Sequence, residues 1–326
     1  MPEERVSAAP AHEARALLER LEWTVIRRLD GLLQGNYRTL WRGAGLDLAD
    51  LREYQHHDDV RHIDWNVTAR LQQPYVREFT EDRELSAWFL VDLSGSVDFG
   101  SGELTKRQVA REFVAVLARL LTRHGNKVGA LLYGNEVDTV VPARGGRLHV
   151  MHLLQRMADR PAQAHPGATD LGRLLAAAQR MLKRRGAVFV VSDFISAPGW
   201  EKPLAQLARR HDVTAVRLFD PLEMELPDLG LMTMRDAETG EDLVVDTHDR
   251  GFRQRFEAAA ARRESALREA LAQAGVDTLE LATDDALLDA ILRFVELRRQ
   301  RHRLANWSGA GRRSAAHLSP LPARPS

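Results

Sequence analysis

The chain has 326 residues, 44% of them hydrophobic, a length that exceeds one ordinary domain of about 150 residues and suits one large α/β domain with an attachment. Its 46 basic residues balance 46 acidic ones, which excludes a global pull toward nucleic acid or an anionic membrane. The lack of cysteine excludes disulfides and thiolate chemistry, no apolar run nears the roughly 20 residues a bilayer requires, and Met1 to His12 lacks signal-peptide regions, so a cytoplasmic protein is expected.

Residues 1–11 read as a disordered leader, and 12–34 as one amphipathic helix with Leu17, Leu18, Leu21, Val25, Leu29, Leu32 and Leu33 at helical spacing. From 35 to 82 the pattern is irregular and charge-rich, with Trp41, Tyr54, Trp65 and Tyr75 spaced through it. Loops and short strands are expected there. A different rhythm runs over 83–304, beginning with the buried strand Ser86 to Val91 and the helix Lys106 to His124. The strand Lys127 to Tyr133 follows, with Val137 to Val141 as a neighbour, and then helices at about Leu148 to Asp159 and Leu171 to Arg185. Next come the strand Ala187 to Val191, the helix Glu201 to His211 and the strand Val213 to Leu218. The stretch 221–246 breaks the alternation and reads as an inserted hairpin. A helix from Arg250 to Ala274 stops at Gly275, before the strand Thr278 to Leu281 and a last helix Asp285 to Arg303. Residues 305–326 read as a disordered tail. Such alternation predicts an α/β fold, Rossmann-like, with a mostly parallel sheet and helices on both faces.

The segment Val91-Asp92-Leu93-Ser94-Gly95-Ser96 is unusual because an apolar strand ends in oxygens on alternate residues. In extended backbone those side chains point one way, so Asp92, Ser94 and Ser96 converge where the strand leaves the sheet, with Gly95 easing a tight turn. The carboxyl end of a parallel strand is the usual ligand position in open α/β sheets. Hard oxygens of this kind suit magnesium or manganese. Thr169, in the loop before the helix at Leu171, and Asp193, at the end of the strand Ala187 to Val191, supply two more oxygens. Together Asp92, Ser94, Ser96, Thr169 and Asp193 resemble the metal-ion-dependent adhesion site of a von Willebrand factor A-like domain, over roughly residues 85 to 303. Asp170 stands where many such domains have asparagine.

A second resemblance lies upstream, in Gly43-Ala44-Gly45-Leu46-Asp47, Leu51-Arg52-Glu53-Tyr54, Asp58-Asp59-Val60-Arg61-His62-Ile63-Asp64-Trp65, Ala69-Arg70 and Val76-Arg77-Glu78-Phe79. This combination is similar to the signature of the domain of unknown function 58 family, which joins such a segment to a von Willebrand A-like domain. Arg52, Tyr54, Asp59, Arg61, Asp64, Trp65 and Arg70 are its signature positions, whose role the sequence leaves open, with a structural one favoured over a binding surface. Their mix of arginines and acids is suited to ion-pair networks that pin irregular backbone. The family resemblance implies a partner, a MoxR-type AAA+ ATPase, because members are commonly encoded beside one. Many members also carry membrane helices that this sequence lacks.

Other readings are weaker. His56, His57, Asp58 and Asp59 are adjacent in a loop and rarely share one ion, and His149 with His152 is more simply a helix face. Phosphoaspartate chemistry needs an acid where Ser94 stands, and the phosphate-loop, dinucleotide and nucleophile-elbow motifs are missing. A magnesium-dependent hydrolase is therefore the alternative, and the basic run Arg298 to Arg303 reads as a solvated helix end. The expected function is non-catalytic: a metal-dependent adaptor in which a partner's Asp or Glu completes the shell of Mg2+ or Mn2+.

Overall fold

The computed structural model describes residues 8–32, 51–55, 60, 63, 65–77, 86–134, 136–160, 169–235, 242–298 and 300–301. The chain divides into two compact units, Met1–Gln34 with Glu81–Ile291, and Gly35–Thr80 with Leu292–Ser326. The first begins with α1 (Ala8–Leu21), passes through a π-helical turn at Glu22–Ile26, and continues as α2 (Arg27–Leu32). One stripe of this helix, formed by Ala14, Leu18, Leu21, Val25, Ile26 and Leu29, is buried. A helix was expected over 12–34, but it begins at Ala8, inside the stretch 1–11 read as a disordered leader; the π turn was not expected, since a single widened turn leaves the apolar spacing almost unchanged.

In the second unit β1 (Leu51–Glu53) pairs antiparallel with β2 (Tyr75–Arg77), Arg52 opposite Val76. Between them in sequence lies α3 (Trp65–Leu71). Gln72, at φ 56°, reverses the chain after it, and the Thr68 hydroxyl accepts the Tyr75 amide at 3.1 Å to fix the return.

The first unit is built on a six-stranded sheet. In chain order it comprises β3 (Ser86–Asp92), α4 (Lys106–Arg123), β4 (Lys127–Tyr133), β5 (Val137–Arg144), α5 (Arg147–Ala158), α6 (Leu171–Met181), β6 (Ala187–Ser192), α7 (Glu201–Ala208) and β7 (Asp212–Phe219). The hairpin strands β8 (Leu231–Arg235) and β9 (Asp242–Asp246) follow, then α8 (Arg250–Ala274) and β10 (Asp277–Ala282). Residues 287–298 are helical. The sheet order is β10-β7-β6-β3-β4-β5, parallel except for the antiparallel edge strand β5. This is the expected α/β architecture.

Alternate residues of the central strands serve opposite faces. Leu90, Val188 and Val190 join a core with Leu171, Leu174 and Leu175 of α6, Leu204 and Leu207 of α7, and Leu271 of α8. Phe89 and Phe189 turn the other way and stack at 5.3 Å, with the Phe113 ring of α4 edge-on to Phe189 at 6.2 Å. Both faces are thus filled, which is why these strands read as continuous apolar runs.

Helix α1 lies against α4 and α5. Glu13 bonds Arg111, Glu22 pairs with Arg119 and Arg123, and Asp30 pairs with Arg123 and His124.

Helix α6 ends at Met181, four residues before the expected Arg185. Leu182 turns to φ −84°, ψ 91° while staying buried, so that the chain runs extended into β6. A Cβ on Gly186 would lie 2.3 Å from the Ser86 carbonyl oxygen, so the entry to β6 tolerates no side chain there. At the far end of α8, Gly275 caps the helix at φ 69° as expected.

Candidate functional site

The chain order places β3 between β4 and β6, so successive connections leave it in opposite directions and open a crevice at its carboxyl end. Asp92 closes β3, and Asp193 follows directly on β6. After Asp92 the chain passes through extended Ser94 into a 3-10 turn at Gly95–Asp98. Gly95 makes this turn without left-handed backbone. Left-handed geometry appears instead at Phe194, φ 59°, an uncommon conformation for a bulky residue. It is held by the Phe194 amide bonding the Ser192 hydroxyl at 2.9 Å and by the Phe194 ring packing on Trp200. The Ile195 amide then bonds Asp193 Oδ1 at 3.0 Å, which fixes that carboxylate at the strand end.

Four of the five expected metal positions form one buried cluster. Asp92 Oδ1 accepts the Ser94 amide at 3.0 Å, and the Ser94 and Ser96 hydroxyls lie 3.2 Å apart. Asp92 Oδ2 accepts the Ser192 hydroxyl at 2.7 Å, linking the two strand ends. Burial and, after it, the charge of Asp193 push the Asp92 carboxyl up to about 6, against the bonds from Ser192 and Ser94. Thr169 is buried just before α6 and is tied to the same loop through its carbonyl, which accepts the Ser196 hydroxyl at 2.9 Å and the Ala197 amide at 2.8 Å. Asp170 caps α6 and pairs with Arg173.

Sequence reasoning missed the cation of this cluster. Lys106, the first residue of α4, is 1% exposed, and its ammonium donates to Asp193 Oδ2 at 2.8 Å and to Glu223 Oε1 at 2.6 Å. Burial opposes its charge, yet the carboxylates of Asp193 and Glu223 outweigh burial and hold its pKa above the ordinary range. The one local signal was a lysine just after the capping residue Thr105, at the end of a helix where a positive charge is disfavoured. Glu223 is itself held, because its Oε2 accepts the Asp220 amide at 3.1 Å. Asp220, fully buried, accepts the Ser101 amide and hydroxyl, the Thr283 hydroxyl and the Leu222 amide.

The donor set fits a small hard cation: two carboxylates and neighbouring hydroxyls, with the Asp92 carboxyl raised by burial and Asp193 despite the Arg160 guanidinium within electrostatic range. Asp92, Ser94, Ser96 and Asp193 would hold it, and Thr169, the fifth expected ligand, is tied through its carbonyl to the loop that follows Asp193. Among the described residues no group of three or more His, Cys, Asp or Glu side chains is arranged to hold a metal, so such a site would rest on hydroxyls as much as on carboxylates. His149 bonds the Val128 carbonyl at 2.8 Å, a structural role.

Of the signature positions, Tyr54 is half-buried and Trp65 is 69% exposed. Arg52 lies in β1 and Arg70 in α3. Asp59, Arg61 and Asp64 lie outside the described residues, as do His56, His57, Asp58 and Glu78, and with them most of the expected ion-pair network. Among the described residues no helix is long and apolar enough to cross a membrane.

Comparison with known proteins places the chain. It is 39% identical over 288 residues to uncharacterized proteins of Mycobacterium bovis and Mycobacterium tuberculosis, covering 87% of this chain and 90% of each relative. Among solved structures it is similar to an aerotolerance-related membrane protein from Bacteroides fragilis, at 13% identity and a TM-score of 0.42, over 67% of this chain and 98% of that one. A conserved hypothetical protein BatB from Bacteroides thetaiotaomicron gives 15% identity and a TM-score of 0.39, over 66% of this chain and 99% of that one. The family model described as "Protein of unknown function DUF58" matches residues 50–266, taking in β1 to β9 and all five oxygen-bearing positions, and the chain belongs to that family.

Proposed function

We propose that this chain is a non-catalytic, divalent-metal-dependent protein–protein interaction module of von Willebrand A-like type. The observation that carries the reading is the buried cluster of Asp92, Ser94, Ser96 and Asp193 at the sheet crossover, where burial and the charge of Asp193 raise the Asp92 carboxyl even though the Arg160 guanidinium lies within electrostatic range of it. Mg2+ or Mn2+ would relieve that imbalance and leave a coordination position for an Asp or Glu of the partner. The proposed partner follows the resemblance drawn from the sequence: the chain would act in the cytoplasm as an adaptor for a MoxR-type AAA+ ATPase in remodelling or maturation of client proteins.

The test is binding of the purified chain to a purified MoxR-type ATPase, in magnesium and in EDTA, with parent and Asp92→Ala. Binding that requires magnesium and is lost in Asp92→Ala is expected. Equal binding in all four conditions would end the metal-dependent reading.

A further inference from the structure

Lys106 is harder to explain than the oxygens around it. It begins α4, where the helix dipole disfavours a cation, and its ammonium is turned into a 1% exposed position rather than toward water. One carboxylate would pair it, yet it spans two: Asp193, one of the candidate ligands, and Glu223, which belongs to a different segment. Glu223 is fixed through Asp220, and Asp220 is fixed by four donors from Ser101, Leu222 and Thr283. The ammonium is therefore held by an anchored Glu223 as well as by the candidate ligand Asp193.

We propose that Lys106 is a tethered cation that sets the affinity of the Asp92/Asp193 cluster for divalent metal, resting on the metal reading above. Its charge cancels one of the two carboxylates that would face the ion, so the cluster binds metal weakly and exchangeably instead of trapping it. Glu223 completes the device by sharing the ammonium, which keeps Asp193 partly available as a ligand. A purely structural ion pair makes the opposite forecast, since removing the ammonium would then loosen Asp193 and weaken metal binding.

The experiment is calorimetric titration of Mg2+ and Mn2+ into the full chain, into Lys106→Met and into Lys106→Gln, with folding checked by circular dichroism. The glutamine variant keeps a hydrogen-bond donor between Asp193 and Glu223, and so guards against a methionine variant that does not fold. Removing the charge is expected to tighten the dissociation constant by roughly tenfold or more. Adding Asp92→Ala to either variant should abolish the gain. Metal binding by the neutral variants where the parent shows none would also support the proposal. Equal or weaker binding by folded neutral variants overturns it while leaving the metal reading intact, and no binding by parent or variants overturns both.

Discussion

Two buried aspartates end strands of the same sheet, β3 and β7 with β6 between them, and live under opposite electrostatics. Asp220, just beyond β7, receives four hydrogen bonds, and although burial works to raise its carboxyl, the bonds from Ser101, Thr283 and Leu222 hold it below the ordinary value. Asp92, at the end of β3, receives two bonds and faces Asp193, and its carboxyl rises to about 6. Burial alone therefore does not mark a functional carboxylate. What separates the pair is the balance of donors against like charge: a satisfied aspartate is a structural clasp, and an under-compensated one is available to a cation.

The contrast is broken most sharply by Asp220→Asn beside Asp92→Asn. The first turns an amide donor toward Ser101, Thr283 and Leu222 and should cost about 3 kcal/mol of stability in urea unfolding. The second removes a buried, poorly paired charge and should stay within about 1 kcal/mol of the parent in EDTA. Equal losses would erase the distinction.

Acid supplies the next test. The folded pKa of Asp220 lies below its ordinary 3.8, so its contribution is present above about pH 4 and is lost as pH falls through the folded value. Urea midpoints measured downward from pH 5 should fall more steeply in the parent than in Asp220→Asn. Parallel slopes would show that the clasp carries no proton linkage.

The smallest effect belongs to Thr283→Val, which removes one of the four donors while keeping the side-chain shape. A loss of about 1 kcal/mol is expected by thermal unfolding. No loss would mean that the remaining three donors suffice.

Much of the sheet was legible in the sequence because β3, β4 and β6 are covered on both faces, so their apolar runs stand out unbroken. Three of the strand-end oxygens were also legible, since Asp92, Ser94 and Ser96 follow one another at a local spacing. What escaped was either nonlocal or conformational. Lys106 meets Asp193 across 87 residues and Glu223 across 117, separations that no spacing rule encodes. The left-handed backbone of Phe194 carries no residue signature, because a glycine or asparagine would be the usual occupant. The early end of α6 likewise carries no local signature, since Leu182 leaves helical backbone inside the stretch Leu171 to Arg185 that reads as helix.

The long helix formed by α1, the π turn and α2 has a consequence for synthesis. Its side-chain partners on α4 and the residues just after it come 92 to 101 positions later in the chain. At the usual ribosomal pace of about 5–20 residues per second, its apolar stripe stays without its mate for roughly 5–20 seconds. During that interval Ala14, Leu18, Leu21 and Ile26 are exposed on a nascent polypeptide. This helix is thus a late-closing latch, and the stage of biogenesis at which the protein is most open to chaperones or misassociation extends at least until α4 and α5, both of which it packs against, have been made.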